Sequence, residues 1–341
     1  MQLGLTFDDV CIVPQFNNVP SRTEPDLSTW LTKTRELKMP LIPANMDTVI
    51  GEQLADVIIE NGGIPIFHRF ASLDTQLGWI KRYGRDMFIS TGIGKPENTF
   101  RLLEEHPGGV VIDVAHGHSD KMFEAIENIK THFPGIDVVA GNVCSPMAYQ
   151  DLVNAGADAV KVGVGPGAAC TTRVVTGFGV PQFTAIYECA KVAQKLRVPI
   201  IADGGIRNSR DVVLALAAGA STVMLGKLFA LTEESAAVKE HIGTPYSTTN
   251  PGLTFSAKYR GQASEDFQNE FYGGLKDKTV AEGTDFWAPV SGPAQKLIDE
   301  LLGGLRSGLT YGGARSIKEL QRKAEFMRVT PKYGAESNPR R

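Results

Sequence analysis

Residues 198–205 read Val-Pro-Ile-Ile-Ala-Asp-Gly-Gly. An apolar run of strand length stops at an acid and two glycines, and a segment of helical periodicity, Ser209–Ala218, follows. Such a run suits a strand buried on both faces that turns into a covering helix. The same unit recurs along the chain. Its other strands are predicted at Met39–Asn45, Gly63–His68, Met87–Thr91, Gly109–Ala115, Ile136–Asn142, Ala159–Gly163 and Ser221–Gly226, with helices such as Gln53–Asn61, Ser119–His132 and Thr184–Leu196 between them. Continuous apolar strands separated by helices predict a parallel sheet, and eight units predict a closed (β/α)8 TIM barrel of the α/β class. A doubly wound open sheet is the alternative; no Gly-x-Gly-x-x-Gly turn follows the first strand, which counts against its nucleotide-binding form.

Two segments fall outside the eight units. The first 38 residues read as an N-terminal extension, with Thr6–Val13 a strand. Residues 243–293 are rich in Gly, Thr, Asp and Lys, lack strong periodicity and read as a long irregular flap after strand 8; loops of that length are usually lids or disordered. A helix Ala294–Leu302, a turn at Gly303-Gly304 and a helix Ser316–Phe326 then close a single domain over 1–341.

Composition narrows the class. With 42% hydrophobic and 21% charged residues and a net charge of -3, the chain has material for a large core and no basic surplus for nucleic acid or an anionic membrane. The basic tail Asn338-Pro339-Arg340-Arg341 is too short to change this. No apolar run reaches the ~18 residues of a membrane span, and Met1-Gln2-Leu3-Gly4 does not read as a signal peptide, so a cytoplasmic protein is expected. Cys11, Cys144, Cys170 and Cys189 form no CxxC pair, which argues against a disulfide framework or structural zinc.

In a barrel the chemistry gathers at the carboxyl ends of the strands. Those ends carry Asn45 and Asp47, His68 and Arg69, Asp113 and His116, Asn142, the loop Gly163–Arg173, Asp203-Gly204-Gly205 and Gly226-Lys227. Glycines at 163, 165 and 167 permit positive φ and close approach to a ligand. Cys170 behind them is either a nucleophile or a small packed residue. The glycines after strands 7 and 8 sit where barrels often hold phosphate, or make ordinary turns. His116-Gly117-His118 lacks the further ligands of a zinc site and suits a cofactor contact or a hydrogen-bonded loop histidine. Glu233-Glu234 reads as the charged start of a helix. Glu282 is either a proton carrier closing over the pocket or a solvated loop residue.

Taken in order, Leu5-Thr6-Phe7-Asp8-Asp9-Val10, Ala44-Asn45-Met46-Asp47, Ile112-Asp113-Val114-Ala115-His116-Gly117-His118-Ser119, Gly141-Asn142-Val143, the Gly163–Arg173 loop, Ile201-Ala202-Asp203-Gly204-Gly205, Tyr259-Arg260-Gly261 and Gly303-Gly304-Leu305-Arg306-Ser307-Gly308 resemble the family of inosine monophosphate dehydrogenase and guanosine monophosphate reductase. The resemblance implies a (β/α)8 barrel, usually a homotetramer, acting on a purine nucleotide with a nicotinamide cofactor. It implies that Cys170 attacks the purine C2 to form a thioimidate, with Thr172 and Glu282 handling protons. The substrate falls among Met46, Asp203, Gly204, Gly205, Gly226, Lys227, Tyr259, Gly261 and Gln262. Arg69, Asp113, His116, Asn142 and Gly163 fall beside the nicotinamide, and backbone oxygens of Gly165, Gly167 and Cys170 at a potassium site.

Departures from the family pattern choose between its two activities. Only residues 69–86 separate His68 from Met87, which leaves no room for the CBS modules the dehydrogenase carries there. The stretch matching that enzyme's water-activating Arg-Tyr pair reads Asn269-Glu270-Phe271-Tyr272, and no arginine lies between Arg260 and Glu282. The expectation is a reductase-type member that converts GMP to IMP and ammonia with NADPH. A dehydrogenase using NAD, favoured by His116-Gly117-His118 and the region Pro20–Thr32, is the alternative; a nucleotide-binding protein with reduced catalysis is the third. Ala168 replaces a phosphate-binding serine, and Lys227 and Gln262 replace a small residue and a methionine, which leaves the preferred nucleotide open.

Overall fold

The computed structural model describes residues 3–94, 96–242 and 254–337. Its central sheet has eight strands: β1 Leu41–Pro43, β2 Ile66–Phe67, β3 Phe88–Thr91, β4 Gly109–Asp113, β5 Asp137–Val143, β6 Ala159–Val162, β7 Ile200–Asp203 and β8 Thr222–Leu225. Every ladder is parallel, the order is β1-β8-β7-β6-β5-β4-β3-β2, and β1 meets β8 through Leu41 opposite Val223. A sheet whose first strand lies beside its last has curled round on itself, which makes this a (β/α)8 barrel rather than an open sheet. All five residues of β4 and all four of β8 are buried, as the unbroken apolar runs require.

Apart from β5, which keeps its predicted length, the strands are shorter than predicted, β2 most of all. Gly63 N–H is spent on Ile58 O at 2.9 Å, at the end of helix α1 Glu52–Glu60. Beyond Phe67 the ring Nδ1 of His68 accepts the Phe70 N–H at 3.2 Å and turns the chain. Only helix α2 Leu73–Tyr83 and a 3-10 turn Gly84–Asp86 lie between β2 and β3, so nothing is inserted there. Helices α3 Pro96–Leu103, α4 Asp120–His132, α5 Pro146–Asn154, α6 Gln182–Leu196 and α7 Ser209–Ala217 follow their strands. The cap of α7 is Asn208, whose Oδ1 accepts Asp211 N–H at 3.1 Å.

Three expectations for the outer segments are corrected. Helix α8 runs unbroken over Ala294–Tyr311, so Gly303-Gly304 is no turn. A Cβ on Gly304 would come within 2.2 Å of Ser209 Cβ, and one on Gly308 within 2.7 Å of Val213; those glycines let α8 press against α7. The Thr6–Val13 segment is a 3-10 turn Phe7–Asp9 followed by a strand Val10–Ile12 that pairs antiparallel with Phe326–Arg328. Phe326 therefore belongs to a strand, and the last barrel-flanking helix is Ile317–Lys323.

Much of the flap is ordered, against the irregular excursion expected. Strands β9 Lys239–Ile242, β10 Thr254–Arg260 and β11 Asp285–Pro289 form an antiparallel sheet, and a helix Glu265–Tyr272 leaves β10 under a Ser264 cap. Residues 243–253 of that excursion, and the tail at 338–341, lie outside the described residues. Glu233-Glu234 starts no helix of its own: Glu234 accepts the Ala294 N–H at 2.8 Å and so caps α8. Among the described residues no helix is long and apolar enough to cross a membrane.

Candidate active site

A cavity of about 890 Å³ opens at the carboxyl ends of the barrel strands. Loops following β1, β2, β4, β5, β6, β7 and β8 wall it on one side, and the flap walls it on the other. Cys170, Thr172 and Glu282 line it, as do Met46, Asp203, Gly204, Gly205, Gly226, Lys227, Tyr259, Gly261 and Gln262. Arg69, Asp113, Asn142, Gly163, Gly165 and Gly167 line it too. His116 does not; it is exposed, and its neighbour His118 is turned away to Asp151 Oδ2 at 2.9 Å.

The cysteine loop follows β6. Gly163 opens it at φ +153°, and a Cβ there would sit 2.0 Å from the Asp203 carbonyl oxygen, so only glycine lets β6 and β7 end this close together. The loop turns back through Cys170 N–H to Gly167 O at 3.0 Å and enters a short helix, Thr172–Thr176. The Cys170 thiol reaches Thr172 Oγ1 at 3.3 Å. Flap backbone clasps this loop on both sides of the cysteine: Thr171 N–H donates to Glu282 O at 2.9 Å, and Thr284 N–H donates to Ala169 O at 2.9 Å. Glu282 therefore comes to the thiol by main-chain pairing, although 112 positions separate them in sequence.

Beneath the loop lies a buried polar chain. Lys161 of β6 donates to Asp113 Oδ1 at 2.7 Å and to Asp203 Oδ2 at 2.9 Å. Asp113 Oδ2 accepts Asn45 Nδ2 at 3.1 Å, and Asn45 also meets Ser90 Oγ at 2.9 Å. Asn142 Nδ2 reaches Asp203 Oδ2 and Gly163 O, both at 2.8 Å. Burial alone would pull Lys161 towards neutrality, but the two carboxylates outweigh it and hold the ammonium above its usual range. Gln182, buried at the start of α6, adds Nε2 contacts to Val162 O and Asp203 O at 3.0 Å each.

The far wall belongs to β10 and its helix. Burial, reinforced by Asp203 and Cys170, raises the Tyr259 phenol and keeps it a neutral donor. Its hydroxyl lies so close to Gly226 that a Cβ there would come within 2.4 Å of it. Gln262 Nε2 donates to Asn45 O at 2.9 Å, which ties the flap to the loop after β1. Arg260 makes the stronger tie: it meets Asp47 Oδ2 at 2.6 Å, Asp266 Oδ2 at 2.8 Å and Glu270 Oε2 at 2.5 Å. Burial nonetheless raises Asp47 above the usual carboxylate range. The Lys227 ammonium stands over the Phe286 ring, 5.3 Å from its centroid.

Lys161, Gln182 and the Arg260 cluster have no role in the sequence-based expectations. A lysine inside the otherwise apolar run Ala159-Val160-Lys161-Val162 is a visible signal for the first, since a buried strand tolerates a charge only when it is paired. The Arg260 cluster has no comparable signal, because Asp47 lies 213 positions away.

Asn142 Oδ1 and Arg69 Nε are among the buried polar atoms of cavity-lining residues that have no hydrogen-bond partner among the described residues, with Gln182 Oε1 and Arg173 Nε. An acceptor and a donor left open there fit a ligand that carries both, as a carboxamide does. The carbonyl oxygens of Gly165, Gly167 and Cys170 are neutral hard donors that fit a monovalent cation. No cluster of three or more His, Cys, Asp or Glu suited to a metal ion occurs among the described residues.

A family model described as IMP dehydrogenase / GMP reductase domain matches residues 4–340. The chain is 36% identical to the inosine-5'-monophosphate dehydrogenase of Borreliella burgdorferi, over 98% of this chain and 96% of that protein. It is 38% identical to the GMP reductase of Helicobacter pylori strain G27, over 95% of each. Against the inosine-5'-monophosphate dehydrogenase of Chlorobaculum parvum the identity is 43%, over 74% of this chain and 52% of that protein. Relatives bearing the two names stand at similar identity, so similarity alone does not choose the reaction.

Proposed function

The chain belongs to the IMP dehydrogenase / GMP reductase family, and from that premise we propose that it is a purine nucleotide oxidoreductase that converts GMP to IMP and ammonia with NADPH. One observation carries the choice of direction. The flap helix Glu265–Tyr272, which faces the cavity where the dehydrogenase would need an arginine to activate water, has none, and its Glu270 is bound to Arg260. Hydrolysis of a covalent intermediate lacks its base, whereas the thiol, Thr172 and Glu282 are all present.

Asp203 receives the ribose hydroxyls, while backbone amides near Gly205 and Gly226 receive the phosphate. Lys227 adds a compact cation once it leaves the Phe286 face, in place of the hydroxyl that Ala168 lacks. Met46, Tyr259, Gly261 and Gln262 hold the base. Cys170 gives its thiol proton to Glu282 through Thr172 Oγ1 as Sγ adds to C2 of the purine, and the same route returns that proton to the 2-amino group, which leaves as ammonia with a thioimidate left on Cys170. A bound NADPH supplies the hydride that the reduction of C2 consumes. The C2–S bond then breaks with its electron pair going to sulfur, IMP leaves, and the Cys170 thiolate takes one proton from solvent to recover its thiol. Asp113, Asn142, Gly163 and Arg69 orient the nicotinamide, and Gly165, Gly167 and Cys170 oxygens hold potassium that keeps the cysteine loop in shape. Val174 and Phe178, 89% and 77% exposed just beyond that loop, favour a homotetramer in which a neighbouring subunit covers them. A cytoplasmic location agrees with four unpaired thiols.

The decisive measurement is a paired assay, GMP with NADPH against IMP with NAD⁺, each with and without potassium. GMP-dependent NADPH oxidation that weakens without potassium is expected. NADH formation from IMP would reverse the direction, and nucleotide binding with no adduct on Cys170 by mass spectrometry would make the protein a binder rather than an enzyme.

A further inference from the structure

Lys161 is the most deeply enclosed charge at the cavity, its side chain 4% exposed, and it is shared by two carboxylates from different strands. Asp113 brings one oxygen to Lys161 and the other to Asn45; Asp203 brings Oδ2 to both Lys161 and Asn142. Asp203 Oδ1 is left without a protein partner among the described residues, and the side chain is 20% exposed towards the cavity. Two carboxylates this close to one point would repel, and one would take up a proton, unless a cation lay between them. Tyr259 also lies near Asp203, and its phenol supplies no positive charge.

Resting on the assignment of Asp203 to the ribose and Asp113 to the nicotinamide, we propose that Lys161 is a positioning residue: it fixes both carboxylates from below and so makes nucleotide affinity and nicotinamide affinity depend on one shared ammonium. It touches the nucleotide only through Asp203. A nucleotide drawing on Asp203 changes how much of the ammonium remains for Asp113, which gives the two ligands a route of coupling inside the barrel wall.

The test is a double-mutant cycle on the whole enzyme, read by equilibrium binding of GMP and of IMP with and without NADP⁺, together with thermal unfolding. Lys161→Met is expected to weaken nucleotide binding about 30-fold or more, the low end for breaking a buried charge pair. In an Asp203→Asn background the same change is expected to cost less than about 3-fold, because the partner it acts through is already altered. Nicotinamide affinity that depends on bound nucleotide in the wild type should cease to do so in Lys161→Met. Equal losses in both backgrounds would overturn the proposal and leave Lys161 a purely structural group. Should Lys161→Met not fold, Lys161→Arg, which keeps the charge, is measured in its place; it should keep nicotinamide affinity dependent on bound nucleotide, and loss of that dependence in a folded Lys161→Arg enzyme would overturn the proposal. If neither nucleotide binds the wild type, the functional assignment itself fails, which is a different result.

Discussion

Lys161 sits 4% exposed between two barrel carboxylates, whereas Arg260 on the flap gathers Asp47, Asp266 and Glu270, whose side chains are 10%, 33% and 60% exposed. Both clusters unite one cation with several acids, yet they do different work. The barrel cluster is buried around Lys161, opens only where Asp203 faces the cavity, and joins strands that cannot move independently. The flap cluster grades from a buried anchor at Asp47 to a wet rim at Glu270, so it can be undone from the outside. The barrel is thus the fixed half of the site and the flap the adjustable half, and the proposed chemistry is divided between them. Cys170 and Asp203 belong to the first, Glu282 and Tyr259 to the second.

That division is sharpest in the pair Cys170 and Glu282. Cys170→Ala removes the sulfur proposed to form the adduct, and turnover should fall by at least about 10⁴-fold. Glu282→Gln leaves the thiol and the main-chain bond to Thr171 intact while removing the proposed proton carrier, so a loss of roughly 10²–10³-fold is expected. Steady-state rates, with mass spectrometry for the thioimidate, separate the two. An adduct that accumulates in Glu282→Gln places the flap residue after bond formation; equal losses in both variants would mean that the fixed and adjustable halves cannot be told apart by function.

The fixed half also shows in a pH response. Burial pushes His68, at the end of β2, down to about 4 from 6.5. Its folded form is neutral, so the unfolded chain binds the proton first. Stability from this group is complete above pH 6.5, declines as pH falls through the interval from 6.5 to about 4, and sums to about 3 kcal/mol. Denaturant titrations of the wild type and His68→Asn across that interval measure it. Loss of ring packing against Trp79 shifts the variant's curve by a constant, whereas loss of the proton linkage flattens its slope. An unchanged slope would mean that His68 is hydrated and that this part of the frame is not closed.

The two halves were unequally legible from sequence. Barrel strands are buried on both faces, so β4 and β8 announce themselves as unbroken apolar runs, and the polar residues that end such runs must fall on one rim; Asp113, Asn142 and Asp203 followed directly. Lys161 was written in plain view as a charge inside such a run, but its meaning depended on two acids in other strands. In the flap, Thr254–Arg260 alternates polar and apolar residues, the mark of a strand that a search for unbroken apolar runs passes over, and its Lys258 and Arg260 direct their charges into ion pairs with acids that the local sequence does not reveal. The glycines of α8 misled for the opposite reason. Their local preference is for a turn, and packing against Ser209 and Val213 overrides it.

The rim of the flap gives the smallest expected effect and the finest test of the grading. Glu270 is 60% exposed, so the solvent already satisfies much of its carboxylate, and an ion pair of that kind contributes no more than about 1 kcal/mol. Asp47→Ala, by contrast, strips the buried anchor from Arg260 and should cost about 3 kcal/mol. Amide exchange of Thr284, whose N–H is held by Ala169 across the seam between flap and cysteine loop, reports the opening directly. Glu270→Gln should speed that exchange less than about 5-fold, and added salt should produce a similar change in the wild type, because screening acts on the exposed partner first. Asp47→Ala should speed it by more than about 100-fold, and salt should add little. Equal acceleration by the two variants would show that Arg260 distributes its hold evenly, and that the flap opens as a unit instead of peeling from Glu270 inwards.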